Sequence, residues 1–192
     1  MTKKIENLCV YCGSSTKVDP MYLEQATNVG KYLAEHNITV IYGGGNVGMM
    51  KALADGVLEQ NGRIIGVIPH HLHKLELAHP HLTKLYTTQS MHERKAMMLH
   101  LADACIALPG GYGTIEELME AVTWTQLNYQ EKPVGVLNIQ NYFGGIIEWI
   151  ERAVQERFIH DVHKDIISFD HNIDGLLHKM SSTTYVEISK HI

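Results

Sequence analysis

Three glycine-bearing segments and two ionisable side chains have the types and spacing to handle an anionic ligand. The segments are Cys12-Gly13-Ser14-Ser15, Gly43-Gly44-Gly45-Asn46-Val47-Gly48 and Pro109-Gly110-Gly111-Tyr112-Gly113-Thr114. Glycine lets main-chain amides approach an anion closely, and a helix start behind such a loop adds partial positive charge. Two such loops on one scaffold suit a ligand of nucleotide size. Thr114-Ile115-Glu116-Glu117 then sets a carboxylate one turn behind the third loop. It satisfies a capping-box pattern, so Glu117 can tie off helix amides, a contribution of about 1 kcal/mol, or it can face the cleft and do chemistry. Glu116 is close enough to count as a ligand contact, whereas Glu120 reads as a solvated or helix-dipole partner.

The second ionisable group is Arg94. On a helical wheel it falls between Met91, Met97, Met98 and Leu101, in the middle of an apolar stripe. A guanidinium there must snorkel, pair with a carboxylate or bind an anionic ligand, and Glu117 is a natural partner. Its neighbour Glu93 is explained by a second capping box, Ser90-x-x-Glu93.

Other constellations carry less. Gly43-x-Gly45-x-x-Gly48 formally satisfies the dinucleotide fingerprint, but the next strand ends in Gly66-Val67-Ile68-Pro69-His70-His71, with no carboxylate for a ribose. A mononucleotide or phosphate loop is the better expectation. The histidines His70, His71, His73, His79 and His81 cluster without metal-ligand spacing, so a solvated loop is expected and no metal. Cys9-x-x-Cys12 spans an apolar strand rather than opening a helix, which favours core packing over redox work.

These residues need a scaffold that presents loops side by side. Strand-like runs occur at Leu8 to Tyr11, Ile38 to Tyr42, Ile64 to Ile68, Leu82 to Thr87, Cys105 to Leu108 and Val134 to Leu137. Helical patterns fall near Met21 to Glu35, Val47 to Gln60, Met91 to Ala102, Thr114 to Asn128 and Phe143 to Glu156. Strands alternating with helices, several of them apolar on both faces, predict a doubly wound α/β domain: a three-layer sandwich around a mostly parallel sheet. Ligands sit beyond the carboxyl ends of such strands, where the three glycine segments fall. After Arg157 the pattern is less regular, with possible strands at Ile166 to Phe169 and Tyr185 to Ile188.

The 192 residues carry no linker, repeat or low-complexity tract, so residues 1–192 are expected to form one domain. Sixteen Lys and Arg against twenty-one Asp and Glu give a net charge of -5, without a basic, aromatic-interleaved run; a nucleic-acid partner is not expected. No stretch approaches 18 apolar residues and no signal peptide stands out, so no membrane association is expected. Three cysteines form no even disulfide framework, which points to the cytoplasm.

Pro109 to Glu117 matches PGGxGTxxE, and Met91-His92-Glu93-Arg94-Lys95 matches an M-H-x-R-K block. With Cys12-Gly13-Ser14-Ser15, the Gly43-Gly44-Gly45 loop followed by Gly48-Met49-Met50, and Thr123-Trp124, they resemble the LOG (Lonely Guy) family of cytokinin riboside 5'-monophosphate phosphoribohydrolases. The similarity runs over roughly residues 5 to 150, and departs at Met49-Met50-Lys51, where relatives often have Leu-Met-Gly. It implies a Rossmann-like fold, generally dimeric with sites near the subunit interface. It also implies cleavage of a nucleoside 5'-monophosphate to free base and ribose 5-phosphate without metal or redox cofactor. The family's catalytic pair falls on Arg94 and Glu117. Its nucleotide contacts fall on Ser14, Gly43, Gly44, Gly45, Met91, Lys95, Gly110, Gly111, Tyr112, Gly113, Thr114 and Thr123. The same loops could serve a noncatalytic nucleotide carrier or sensor, or a ribosyltransferase acting through a covalent carboxylate. An older lysine decarboxylase label finds no pyridoxal phosphate lysine here.

Overall fold

In the computed structural model, which describes residues 4–74 and 78–182, seven strands form one sheet in the order β4-β3-β2-β1-β5-β6-β7. They are β1 (Asn7–Tyr11), β2 (Thr39–Tyr42), β3 (Ile64–Pro69), β4 (Lys84–Thr88), β5 (Ala104–Ala107), β6 (Val134–Leu137) and β7 (Ile167–Asp170). Every strand pair is parallel, and one isolated antiparallel bridge joins Gly45 to Ala78. Side chains alternate across the sheet as the strand period of two requires. Leu8 and Val10 enter one core, Cys9 and Tyr11 the other.

Helices α1 (Pro20–Glu35), α2 (Gly48–Glu59) and α7 (Ile173–Ser182) cover the first face; α4 (Met91–Leu101), α5 (Tyr112–Gln126) and α6 (Gly144–Gln155) cover the second. Helix starts follow local chemistry. Asp19 accepts from the Met21 amide at 2.9 Å ahead of Pro20 in the first turn of α1. Ser90 Oγ accepts from the Glu93 amide as expected, while Glu93 accepts from the amide of Gln89, one residue before the N-cap of α4.

Because the chain winds outward from β1 through β2 to β4 and then returns to β5, the order reverses between β1 and β5. The crevice at such a switch point is where open α/β sheets bind ligands. The Cys12 to Ser15 and Pro109 to Gly111 segments meet there, the Gly13 amide donating to the Pro109 carbonyl at 3.0 Å.

Two elements differ from expectation. His70–Lys74 forms a short helix, α3, rather than loop, and α7 was not foreseen. The strand expected near Ile166 is β7, while Tyr185 to Ile188 lies outside the described residues. Among the described residues no helix is long and apolar enough to cross a membrane.

Candidate active site

Glu117 does not cap its helix. α5 begins at Tyr112 with Gly111 as its N-cap, two residues earlier than a Thr114 start, so Glu117 lies in the second turn and Thr114 in the first. Glycine has no side chain to satisfy the first amides of the helix, and no side-chain cap bond is made. Tyr112 is 98% exposed, and a Cβ placed on Gly111 or Gly113 would meet nothing within 4 Å. The start of α5 is therefore an open array of donors at the positive end of a 15-residue helix. Thr114 is buried, its hydroxyl packed against Gly110.

Glu117 instead turns inward to Arg94, with Nη2 3.1 Å from Oε1 and side chains only 12% and 10% exposed. The rest of the guanidinium is also occupied: Nε donates to the Val67 carbonyl at 3.2 Å, and Nη1 lies 3.9 Å from Met91 Sδ. The expected stripe placement needs correction, since the buried residues of α4 are Lys95, Met98 and Leu99. Arg94 lies at the edge of that face, its nearly covered head reaching the Val67 carbonyl near the end of β3. Burial is the largest influence on the Glu117 carboxyl and raises it above the ordinary range. Arg94 and Lys95 pull it back, while Glu116 and Glu120 push it up.

The second glycine loop serves Arg94. A Cβ on Gly43 would lie 2.3 Å from Arg94 Nη2, so only glycine leaves room for the guanidinium. Gly44 and Gly45 are buried behind it.

Lys95 is buried and bonded to Glu116 and, at 2.9 Å, to Glu120. Those two bonds outweigh desolvation and hold its ammonium protonated. Glu120 is thus an ion-pair partner rather than a solvated group. Thr123 is not brought to the pair: it is exposed, six residues beyond Glu117, and donates to the Met119 carbonyl at 2.7 Å.

A cleft of about 320 Å³ opens at the switch point, lined by Gly13, Ser14, Gly110 and Gly111. Val18, Tyr22, Met49 and Tyr142, which sequence reasoning missed, line it as well. Tyr142 donates to the Gly110 carbonyl at 2.7 Å and meets Tyr22 edge to face, fixing the third loop from outside. It follows Gln140 and Asn141, both left-handed, and nothing in its spacing announces it. Larger hollows of about 710 and 610 Å³ lie at the opposite, amino-terminal edge of the strands, away from the glycine loops.

Burial, reinforced by Glu117 and partly offset by Arg94, raises the Cys12 thiol far above its usual range. Among the described residues no three His, Cys, Asp or Glu side chains gather as a metal site. His70, His71, His73 and His81 are exposed as expected, but His79 is buried at 5% exposure, contrary to a solvated loop.

Comparison with known proteins agrees with these motifs. The family model described as possible lysine decarboxylase matches residues 50–180. The chain is 40% identical over 177 residues to cytokinin riboside 5'-monophosphate phosphoribohydrolase LOG7 of Arabidopsis thaliana, covering 92% of this chain and 82% of that protein. It is 42% identical over 166 residues to the LOG protein of the same activity from Oryza sativa subsp. japonica, covering 86% and 69%. In fold it is similar to the molybdenum cofactor binding protein of Rippkaea orientalis, with a TM-score of 0.64 at 20% identity over 92% of this chain and 93% of that one. The Chlamydomonas reinhardtii molybdenum cofactor carrier protein scores 0.64 at 18% identity over 90% and 93%. The identity to the phosphoribohydrolases over most of both chains, together with the PGGxGTxxE segment, places this chain in the LOG family.

Proposed function

We propose that this chain hydrolyses the N-glycosidic bond of nucleoside 5'-monophosphates, including AMP and N6-modified cytokinin riboside monophosphates, to free base and ribose 5-phosphate. The observation that carries this reading is the buried Arg94–Glu117 pair beside the uncapped start of α5. The names of the relatives at about 40% identity support it.

The amides of Gly110 to Thr114 take the 5'-phosphate, with Ser14 on the facing loop, and so fix the sugar. As the bond from C1' to the base nitrogen breaks, its electron pair leaves with the base and positive charge grows on C1'. Ionised Glu117 stabilises that charge and directs a water onto C1', accepting its proton. The base nitrogen regains a proton from solvent, so one water is consumed per bond. Arg94 keeps Glu117 ionised and aimed, opposing the burial that would neutralise it. Met91 and the Gly43 to Gly45 loop hold Arg94 from either side, and Lys95 ties α4 to α5 through Glu116 and Glu120.

In this reading residues 1–192 act as one domain in the cytoplasm, which the three free cysteines favour. The functional unit is a homodimer with its sites near the interface. The exposed Met91 and Tyr112 at the rim of the site support that arrangement.

The test is incubation of purified protein with AMP, CMP, GMP, N6-isopentenyl-AMP and adenosine, with products resolved by chromatography. Free base from at least one monophosphate, and none from adenosine, is expected. No release from any monophosphate overturns the proposal in favour of a carrier, and release only with an added acceptor base favours a transferase.

A further inference from the structure

His79 lies outside the pair and its loops, yet it is the most buried of the clustered histidines and is held at three atoms. Its main-chain N–H donates to the Gly44 carbonyl at 2.9 Å, next to the bridge between Gly45 and Ala78. Nδ1 accepts from the His81 main-chain N–H at 3.3 Å. A main-chain N–H can only donate, so the ring proton sits on Nε2, which faces Asp55 Oδ1 at 3.2 Å. Asp55, on α2, also pairs with Lys51. Burial alone would raise the Asp55 carboxyl, but the bonds from Lys51 and His79 hold it below its ordinary range.

The carbonyl His79 grips belongs to a residue at φ +75°, in the segment that must stay flush against Arg94 Nη2 at Gly43. Tyr42 holds the same segment from β2 by donating to the Gly45 carbonyl at 3.2 Å. We infer that His79 is a positioning residue, its Asp55-anchored ring fixing the Gly43 to Gly45 loop where that loop receives the Arg94 guanidinium. It acts on Glu117 through Arg94, touches no substrate and rests on the reaction proposed above.

His79→Ala frees the loop and lets Arg94 recede. Besides Arg94, the charged and titratable groups facing Glu117 are Lys95 on α4, Glu116 and Glu120 on its own helix, and Cys9, Tyr11 and Cys12 on β1 and its loop. None of these is bonded to His79, so a rise in the Glu117 pKa reports on Arg94. Carboxyl-carbon NMR titration of Glu117 and steady-state kinetics on AMP are measured for His79→Ala, His79→Gln and Asp55→Ala. The Gln variant keeps a donor near the Nε2 position. Asp55→Ala, at a partly exposed site, supplies the same reading if His79→Ala does not fold.

For His79→Ala and Asp55→Ala the expected result is a higher Glu117 pKa and a kcat at least about tenfold lower with KM within about threefold; His79→Gln recovers most of both. An unchanged Glu117 titration, or a Gln variant as impaired as the Ala variant, overturns the inference. A wild type that releases no base while its Glu117 titration still responds to His79 overturns the proposed reaction and leaves the positioning role standing.

Discussion

Arg94 Nη2 and Glu117 Oε1 lie 3.1 Å apart although their side chains come from different helices, α4 and α5, and are nine-tenths covered. Burial raises the Glu117 carboxyl and the guanidinium is the chief opposing influence. Removing Arg94 therefore raises it further. For Arg94→Ala the expected outcome is a kcat about a hundredfold lower, and an acid limb of the pH–rate profile displaced to higher pH. A rise in KM alone would mark Arg94 as a binding residue.

The same raised carboxyl has a consequence for stability. A group that binds its proton more tightly when folded stabilises the fold at low pH, and that contribution fades as pH rises from the ordinary glutamate range through the raised value. Glu117→Gln cannot ionise. Denaturant melts at stepped pH should show the variant gaining on the wild type across that window and holding a constant difference above it. A difference independent of pH contradicts the assignment.

Gly43 separates activity from folding. A methyl group there clashes with the far end of the Arg94 side chain at 2.3 Å and otherwise makes an ordinary contact with Met50 Sδ at 3.4 Å, and the backbone at Gly43 is not left-handed. Gly43→Ala is expected to keep its Tm within about 4 °C while kcat falls at least about tenfold, because the displaced guanidinium no longer meets Glu117. Circular dichroism melts and steady-state kinetics on one preparation check both halves.

Gly113 has the opposite signature. It sits in the first turn of α5 with nothing near its missing Cβ, so alanine relieves a helix of about 0.5 kcal/mol of glycine cost. If the open amides receive a phosphate, that methyl group intrudes on the anion. Gly113→Ala is expected to melt slightly higher than wild type and to bind AMP about tenfold more weakly by calorimetry.

The parallel sheet and five of its covering helices were legible because two-sided apolar strands and amphipathic helices alternate along the chain. Helix α3 was not, since His70-His71-Leu72-His73 shows no helical period, and α7 is short and begins among turn residues. Arg94 and Glu117 could be read as partners, yet the stripe that suggested it was misplaced. The buried face of α4 includes Lys95, which periodicity counts as polar and which is neutralised by Glu116 and Glu120. The capping-box pattern at Thr114 leaves both roles of Glu117 open for a related reason: Gly111 starts the helix earlier and needs no side chain to do so. Tyr142 and His79 act through main-chain carbonyls far off in sequence, Gly110 and Gly44, and no local spacing encodes such contacts.

The most direct measurement is the turnover of AMP by Glu117→Gln, with free adenine quantified by chromatography against wild type. Glutamine keeps the shape and can still bond to Arg94, but it can neither carry the charge that steadies C1' nor take a proton from water. The account predicts a kcat at least about a hundredfold lower, about 2.7 kcal/mol of lost transition-state stabilisation, with AMP affinity largely retained. Turnover within a few-fold of wild type would contradict it.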